Sequence, residues 1–192
     1  MDLLANSLPE EITSDQVLQY TGVSKGSLYH HFEDFYQLID SALVEIFVST
    51  IDDSIYNLKS VIKGSNDRLE LMIGLRRITE HSQSDAMRTV RFRRARMLAL
   101  AEHRPQLRER LAREQGRLTR AFADLFVEAR EKGWFNEDFD PKAAAVLIQA
   151  YTFGRVIDEI SDDPVDIEKW VDLIMKIVSH LFLNSAARDF EP

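Results

Sequence analysis

The residues best placed to do chemistry sit close together near the N-terminus: Lys25, Gly26, Ser27, Tyr29 and His30, followed by His31. They belong to the segment TSDQVLQYTGVSKGSLYHHF, residues 13–32, which has the grammar of two short helices joined by a tight turn. Thr13 and Gln16 have capping-box spacing, Gly22 permits a left-handed turn, and Ser24 can cap the second helix. Val17, Val23, Leu28 and Phe32 can meet as a small core between them. Lys25, Gly26, Ser27, Tyr29 and His30 are then left outward, a face of small and polar groups suited to a DNA major groove. The plainer alternative is a helical hairpin that only packs. A metal site at His30-His31 with Glu33 and Asp34 is not expected, because adjacent helical residues point about 100° apart and cannot easily share one ion.

A second chemical candidate lies in MRTVRFRRARMLALAEHRPQLRERLAREQGRLTR, residues 87–120. Its arginines could contact nucleic acid, but a solvated, salt-bridged helix face explains them more simply. Arg94 stands apart. At helical spacing Met87, Val90, Met97, Leu98 and Ala101 fall on one arc, and Arg94 lands near its middle. A guanidinium there needs a counter-charge, since unpaired burial costs several kcal/mol, roughly. That charge is either an acid on a neighbouring helix or an anionic ligand. Phe47, Met72, Met97, Phe122, Phe126 and Tyr151 can line a pocket in the same region or serve as ordinary core.

No spacing in the chain assembles a nucleophile with its base, a phosphate-cradling glycine loop or a metal set, so an enzyme is not expected, nor a cofactor. Cysteine is absent, which excludes disulfides, thiolate metal sites and cysteine nucleophiles. The 192 residues are 45% hydrophobic and 29% charged, values of an ordinary globular chain with room for one sizeable core or two small units. No apolar run approaches the roughly 20 residues of a membrane helix, and no secretory signal opens the chain, so a cytoplasmic location is expected. The net charge of −8 argues against nonspecific coating of nucleic acid. It is also segregated: residues 1–48 hold eight acids against Lys25 alone, whereas residues 86–120 hold eleven arginines against three glutamates.

The elements that must position these groups are helices. Seven glycines and five prolines punctuate the sequence, and strand-like alternation is hard to find. The patterning predicts an all-α chain of about nine helices: 2–8, 13–20, 24–31, 34–62, 67–82, 86–102, 105–132, 141–160 and 165–186. Lys63-Gly64-Ser65-Asn66 supplies a stop and a new N-cap, Gly133 ends the seventh helix, and Asp140-Pro141 opens the eighth. In the last two helices Ala144, Leu147, Tyr151 and Gly154 form a stripe of little bulk, while Ile167, Trp170, Val171, Ile174, Val178 and Leu181 recur at three and four. Leu173, Ile177 and Phe182 widen the second stripe beyond what one contact would bury. A two-fold four-helix bundle between two chains satisfies it, with Leu147, Tyr151, Gly154, Trp170, Ile174, Val178 and Leu181 at the interface. Burial within a single subunit is the alternative.

GVSKGSLYHHF, residues 22–32, resembles the recognition-helix signature of the TetR family of regulators almost residue for residue. More loosely, AREKGWFNEDFDPKAAAVLIQAYTFG looks like the junction and helix that such regulators use to dimerise. The resemblance implies a helix-turn-helix DNA-binding domain over 1–46 and a helical ligand-binding and dimerisation domain over 47–192. It implies that Lys25, Gly26 and Ser27 approach base edges, that Thr13, Tyr29, His30 and His31 hold phosphates, with Ser24 among the contact residues, and that two copies read a palindromic operator in double-stranded DNA. A cavity for a small-molecule effector is implied in the body, with Met72, Arg94, Met97, Phe122, Phe126 and Tyr151 as candidates. The sequence departs from the pattern in three places. LLANSLPEEIT aligns with only the latter half of the family's first helix, Phe35 stands where a phosphate-binding lysine is frequent, and Leu18 replaces a small residue. Either the true start lies upstream of Met1, or binding relies on hydroxyl, histidine and backbone donors. The expected function is a ligand-responsive repressor; a decayed reading head on a ligand sink is the rival.

Overall fold

A computed structural model describes residues 2–136 and 138–182, and among these every element longer than a single residue is a helix. The helices are α1 (Asp2–Asn6), α2 (Ser14–Thr21), α3 (Lys25–His31), α4 (Phe35–Gly64), α5 (Arg68–Gln83), α6 (Arg88–Glu102), α7 (Pro105–Glu131), α8 (Pro141–Asp158) and α9 (Ile167–Phe182). Short 3-10 turns at Pro9–Glu11 and Asp85–Met87 lead into α2 and α6.

The boundaries follow from capping. A helix leaves its first four N–H groups unpaired, and a short oxygen-bearing side chain just before it accepts one of them. Asp34 Oδ1 accepts from the Gln37 N–H at 2.7 Å, Asp67 Oδ1 from Glu70 at 2.9 Å, and Asp140 Oδ1 from Ala143 at 2.7 Å. The cap of α5 is thus Asp67, one residue beyond the Ser65-Asn66 pair, because α4 keeps its helical path through Gly64. Proline opens α7 and α8, where its missing N–H costs nothing. Gly133, at φ 73°, closes α7 by donating to the Arg130 carbonyl at 2.8 Å.

α4 is the central rod. Ile39, Leu43, Phe47, Ile51, Ile55, Leu58 and Ile62, spaced by three or four, are all buried. They meet Leu107, Leu111, Leu118, Phe122 and Leu125 of α7 in one core that extends to α8 and α9. Each such side chain contributes roughly 1.5–3 kcal/mol of apolar burial. The N-terminal head joins the same core through Leu4 and Ile12. Residue 46, where the sequence suggests a boundary, lies inside α4, so one unbroken helix runs from head to body. The segregated charges meet along this rod: Arg104 Nη1 pairs with Asp40 at 2.6 Å and Arg117 Nη1 with Asp52 at 2.6 Å, while Arg110 donates to the Ser41 hydroxyl at 3.0 Å. No helix among the described residues is long and apolar enough to cross a membrane.

Candidate functional site

Three local devices hold α3 in place. Gln16 Oε1 accepts from the Thr13 N–H at 2.8 Å and Thr13 Oγ1 accepts from the Gln16 N–H at 3.3 Å, a complete capping box on α2. Gly22 adopts φ 69° and donates to the Leu18 carbonyl at 2.9 Å, turning the chain sharply between α2 and α3. Ser24 Oγ then accepts from the Ser27 N–H at 3.1 Å. Leu28 points inward and is buried, so the opposite side of α3 must face solvent. Thr13, Ser24, Lys25, Gly26, Ser27, Tyr29, His30 and His31 are all exposed, and the two imidazole rings lie edge-on with centroids 5.2 Å apart. Val23, expected in the small core, is instead 43% exposed, on the turn between α2 and α3.

Behind the head the body encloses a cavity of about 820 Å³, bounded by α4 to α9. Arg94, Phe122, Phe126 and Tyr151 line it, as expected from the sequence. Met97 does not; it faces a smaller crevice of about 320 Å³ between α1 and α6, and Met72 reaches neither space. Leu98, placed on the apolar arc of α6, is exposed. The Tyr151 phenol has its pKa raised by burial, an effect its side-chain hydrogen bond with Thr79 opposes.

Arg94 has no acidic partner among the described residues. Its Nη2 donates to Gln115 Oε1 at 3.0 Å and to Gln149 Oε1 at 3.5 Å, both neutral amides, and its Nε is buried with no acceptor. The Phe153 and Phe47 rings flank the guanidinium at 5.2 and 5.7 Å. Desolvation pulls the Arg94 pKa down to about 10, which leaves it a cation at neutral pH. The expected neighbouring acid serves Arg91 instead, one turn earlier: that guanidinium is paired with Glu159 and donates to the Ser82 carbonyl at 2.6 Å. Gln149 escaped the sequence reading, although a lone amide in AAAVLIQAYTF is a visible signal. It donates to Thr119 Oγ1 at 3.2 Å and to the Ala145 carbonyl at 2.8 Å, and so fixes the acceptor that Arg94 reaches.

The candidate interface of α8 and α9 divides. Ile174 and Val178 are 2% and 7% exposed and belong to the subunit's own core, which corrects their placement at a surface between chains. Tyr151 faces the cavity. Trp170 donates from Nε1 to Gln83 Oε1 at 3.0 Å, and its ring packs over Gly154, where a Cβ would lie 3.5 Å away. Leu147 is exposed, together with Val146 and Ile157 of α8 and Leu173 and Ile177 of α9. The Leu181 side chain lies outside the described residues.

A family model described as the C-terminal part of the BetI-type transcriptional repressors matches residues 75–183, more than half of the chain. The chain belongs to the TetR family of transcriptional regulators, as the α3 motif predicts from the other end of the sequence. Solved structures share the fold over nearly their full length. A Rhodococcus sp. protein described as a TetR-family transcriptional regulator is 23% identical, covering 93% of this chain and 92% of its own, with a TM-score of 0.63. Salmonella enterica GusR is 19% identical, with coverages of 94% and 88% and a TM-score of 0.68. A transcriptional regulator from Saccharomonospora viridis, solved in complex with choline, is 13% identical, with coverages of 95% and 92% and a TM-score of 0.69. No curated protein matches the chain in sequence.

Proposed function

We propose that the protein is a ligand-responsive repressor that binds a palindromic operator as a homodimer, with residues 1–46 as the reading head and 47–192 as the sensing and dimerising body. The observation that carries this reading is the outer face of α3, where six polar or small residues stand clear of the protein on a helix capped at its start. Packing alone gives no reason to leave Lys25, Tyr29, His30 and His31 outward together. In the proposed complex Lys25, Gly26 and Ser27 meet base edges, and Thr13, Ser24, Tyr29, His30 and His31 fix the register on phosphates.

Two further observations support sensing. The body contains a cavity of ligand size, and a neighbour with the same fold is known with choline bound. α6 borders both spaces: Val90, Arg91 and Arg94 line the cavity, while Phe92, Arg93 and Arg96 line the crevice beneath α1. A ligand that favours one position of α6 therefore also alters the crevice that α6 shares with the head. It lowers operator affinity by its differential binding to the two body shapes, typically about 1–3 kcal/mol. Dimerisation is supported by the exposed large apolar residues of α8 and α9, Val146, Leu147, Ile157, Leu173 and Ile177, since a concentration of apolar side chains at the surface marks an interaction site. No catalytic step is required.

Selection from random duplexes tests the proposal. Enrichment of a two-fold symmetric sequence is the expected outcome; recovery of no preferred sequence overturns it and favours a ligand sink with an inactive head.

A further inference from the structure

Among the described residues, the two fully buried arginines of this body are each given a carboxylate, whereas the part-buried Arg94 is not. Arg91 is paired with Glu159, and Arg155 with Asp158 at 2.7 Å, both at the junction of α6 with the end of α8. Arg94 lies one turn from Arg91 on the same helix, yet meets only two amides and two aromatic rings, with its Nε buried and unsatisfied. A desolvated cation without a counter-charge is unfavourable, and mutation to an apolar residue would remove that cost. The unmatched charge lies at the wall of the large cavity.

The rest of the wall defines what could match it. Leu118, Phe122, Phe126, Ile148 and Met175 make the interior apolar. The charged groups Asp53, Arg77 and His81 are exposed and so belong to its rim. The cavity thus offers a largely apolar volume in which Arg91 is neutralised by Glu159, while Arg94 has only hydrogen-bond acceptors and π-faces turned toward it. Resting on the sensing role proposed above, we infer that the effector is an amphipathic anion, an apolar body ending in a carboxylate that Arg94 receives. A neutral ligand of the same shape would leave Arg94 unpaired, and an ammonium would be repelled by it. Arg94 is suited to the task because its planar fork can engage both oxygens of a carboxylate while Gln115 and Gln149 restrain it on one side.

Calorimetric titration of the full chain with two acids, decanoate and 4-phenylbutanoate, each against its alcohol, tests this inference. At least one acid should bind ~10-fold or more tighter than its alcohol, the effect of a charge-assisted pair, and Arg94→Gln should erase the difference. Acids that bind no tighter than their alcohols overturn the inference on the unaltered protein, whatever the variant does. So does a preference that survives Arg94→Gln. Operator affinity separates this inference from the sensing role: an acid held through Arg94 that leaves DNA binding unchanged upholds the site and removes the sensing. An alcohol that releases DNA as well as its acid does the reverse.

Discussion

At the scale of single residues, Lys25 and Arg94 matter most: Lys25 is the only lysine or arginine of residues 1–46, and Arg94 is the part-buried cation of the cavity wall that lacks the carboxylate given to Arg91, whereas Arg77 stands exposed at the rim. Lys25→Ala should weaken operator binding by about 1–3 kcal/mol, read by equilibrium titration, without changing the helical content. Arg94→Met should stabilise the unliganded protein by about 1 kcal/mol in chemical denaturation, because it removes a desolvated charge and keeps the volume. The sign agrees with linkage. With its folded pKa drawn down to about 10, below its unfolded value, Arg94 binds fewer protons when folded, so its cost is fully present at neutral pH and is relieved only as pH rises above about 10. A destabilised Arg94→Met protein would mark the side chain as structural. The sequence made Arg94 conspicuous, since a charge inside an apolar arc is visible in one helix. It could not name its partners, because Gln115 and Gln149 lie 21 and 55 residues away on other helices.

At the scale of elements, caps and stripes behave differently. Capping is local, so the box at Thr13, the left-handed Gly22 and the caps at Ser24 and Asp140 were legible within four residues of sequence, and the helix limits followed. Ser24→Ala should cost about 1 kcal/mol and lower DNA affinity beyond what the lost hydroxyl explains, because α3 frays at the end that carries Lys25. Stripes are less decisive. α9 is apolar on more than one side, and periodicity gives the angle between Ile174 and Leu173 without saying which of them meets the core. The answer depends on where α5 and α8 lie, and it puts Ile174 and Val178 inside and Leu173 and Ile177 outside. Leu173→Glu should therefore yield a folded monomer in sedimentation, whereas Ile174→Glu should fail to fold, since burying an unpaired carboxylate is far costlier than exposing one. Equal behaviour of the two would contradict the assignment.

At the scale of the whole molecule, charge and symmetry set the function. The head carries eight acids against one lysine, and Arg104, Arg110 and Arg117 of the arginine-rich stretch are engaged with Asp40, Ser41 and Asp52 along α4. Counterion release from DNA is then small, so log affinity should fall with log salt at a slope of only about −2 to −4 for the dimer, a few phosphates at roughly −0.9 each. Affinity must come instead from two heads engaged together, which a rigid pair allows only at the spacing of one helical turn, about 34–36 Å. The most direct test compares binding of the selected duplex with that of the same duplex carrying five extra base pairs at its centre. Half a turn puts the half-sites on opposite faces, and affinity should fall at least ~100-fold, the loss of one head's contribution. Equal affinity for the two duplexes would contradict a dimer that reads DNA through paired α3 helices.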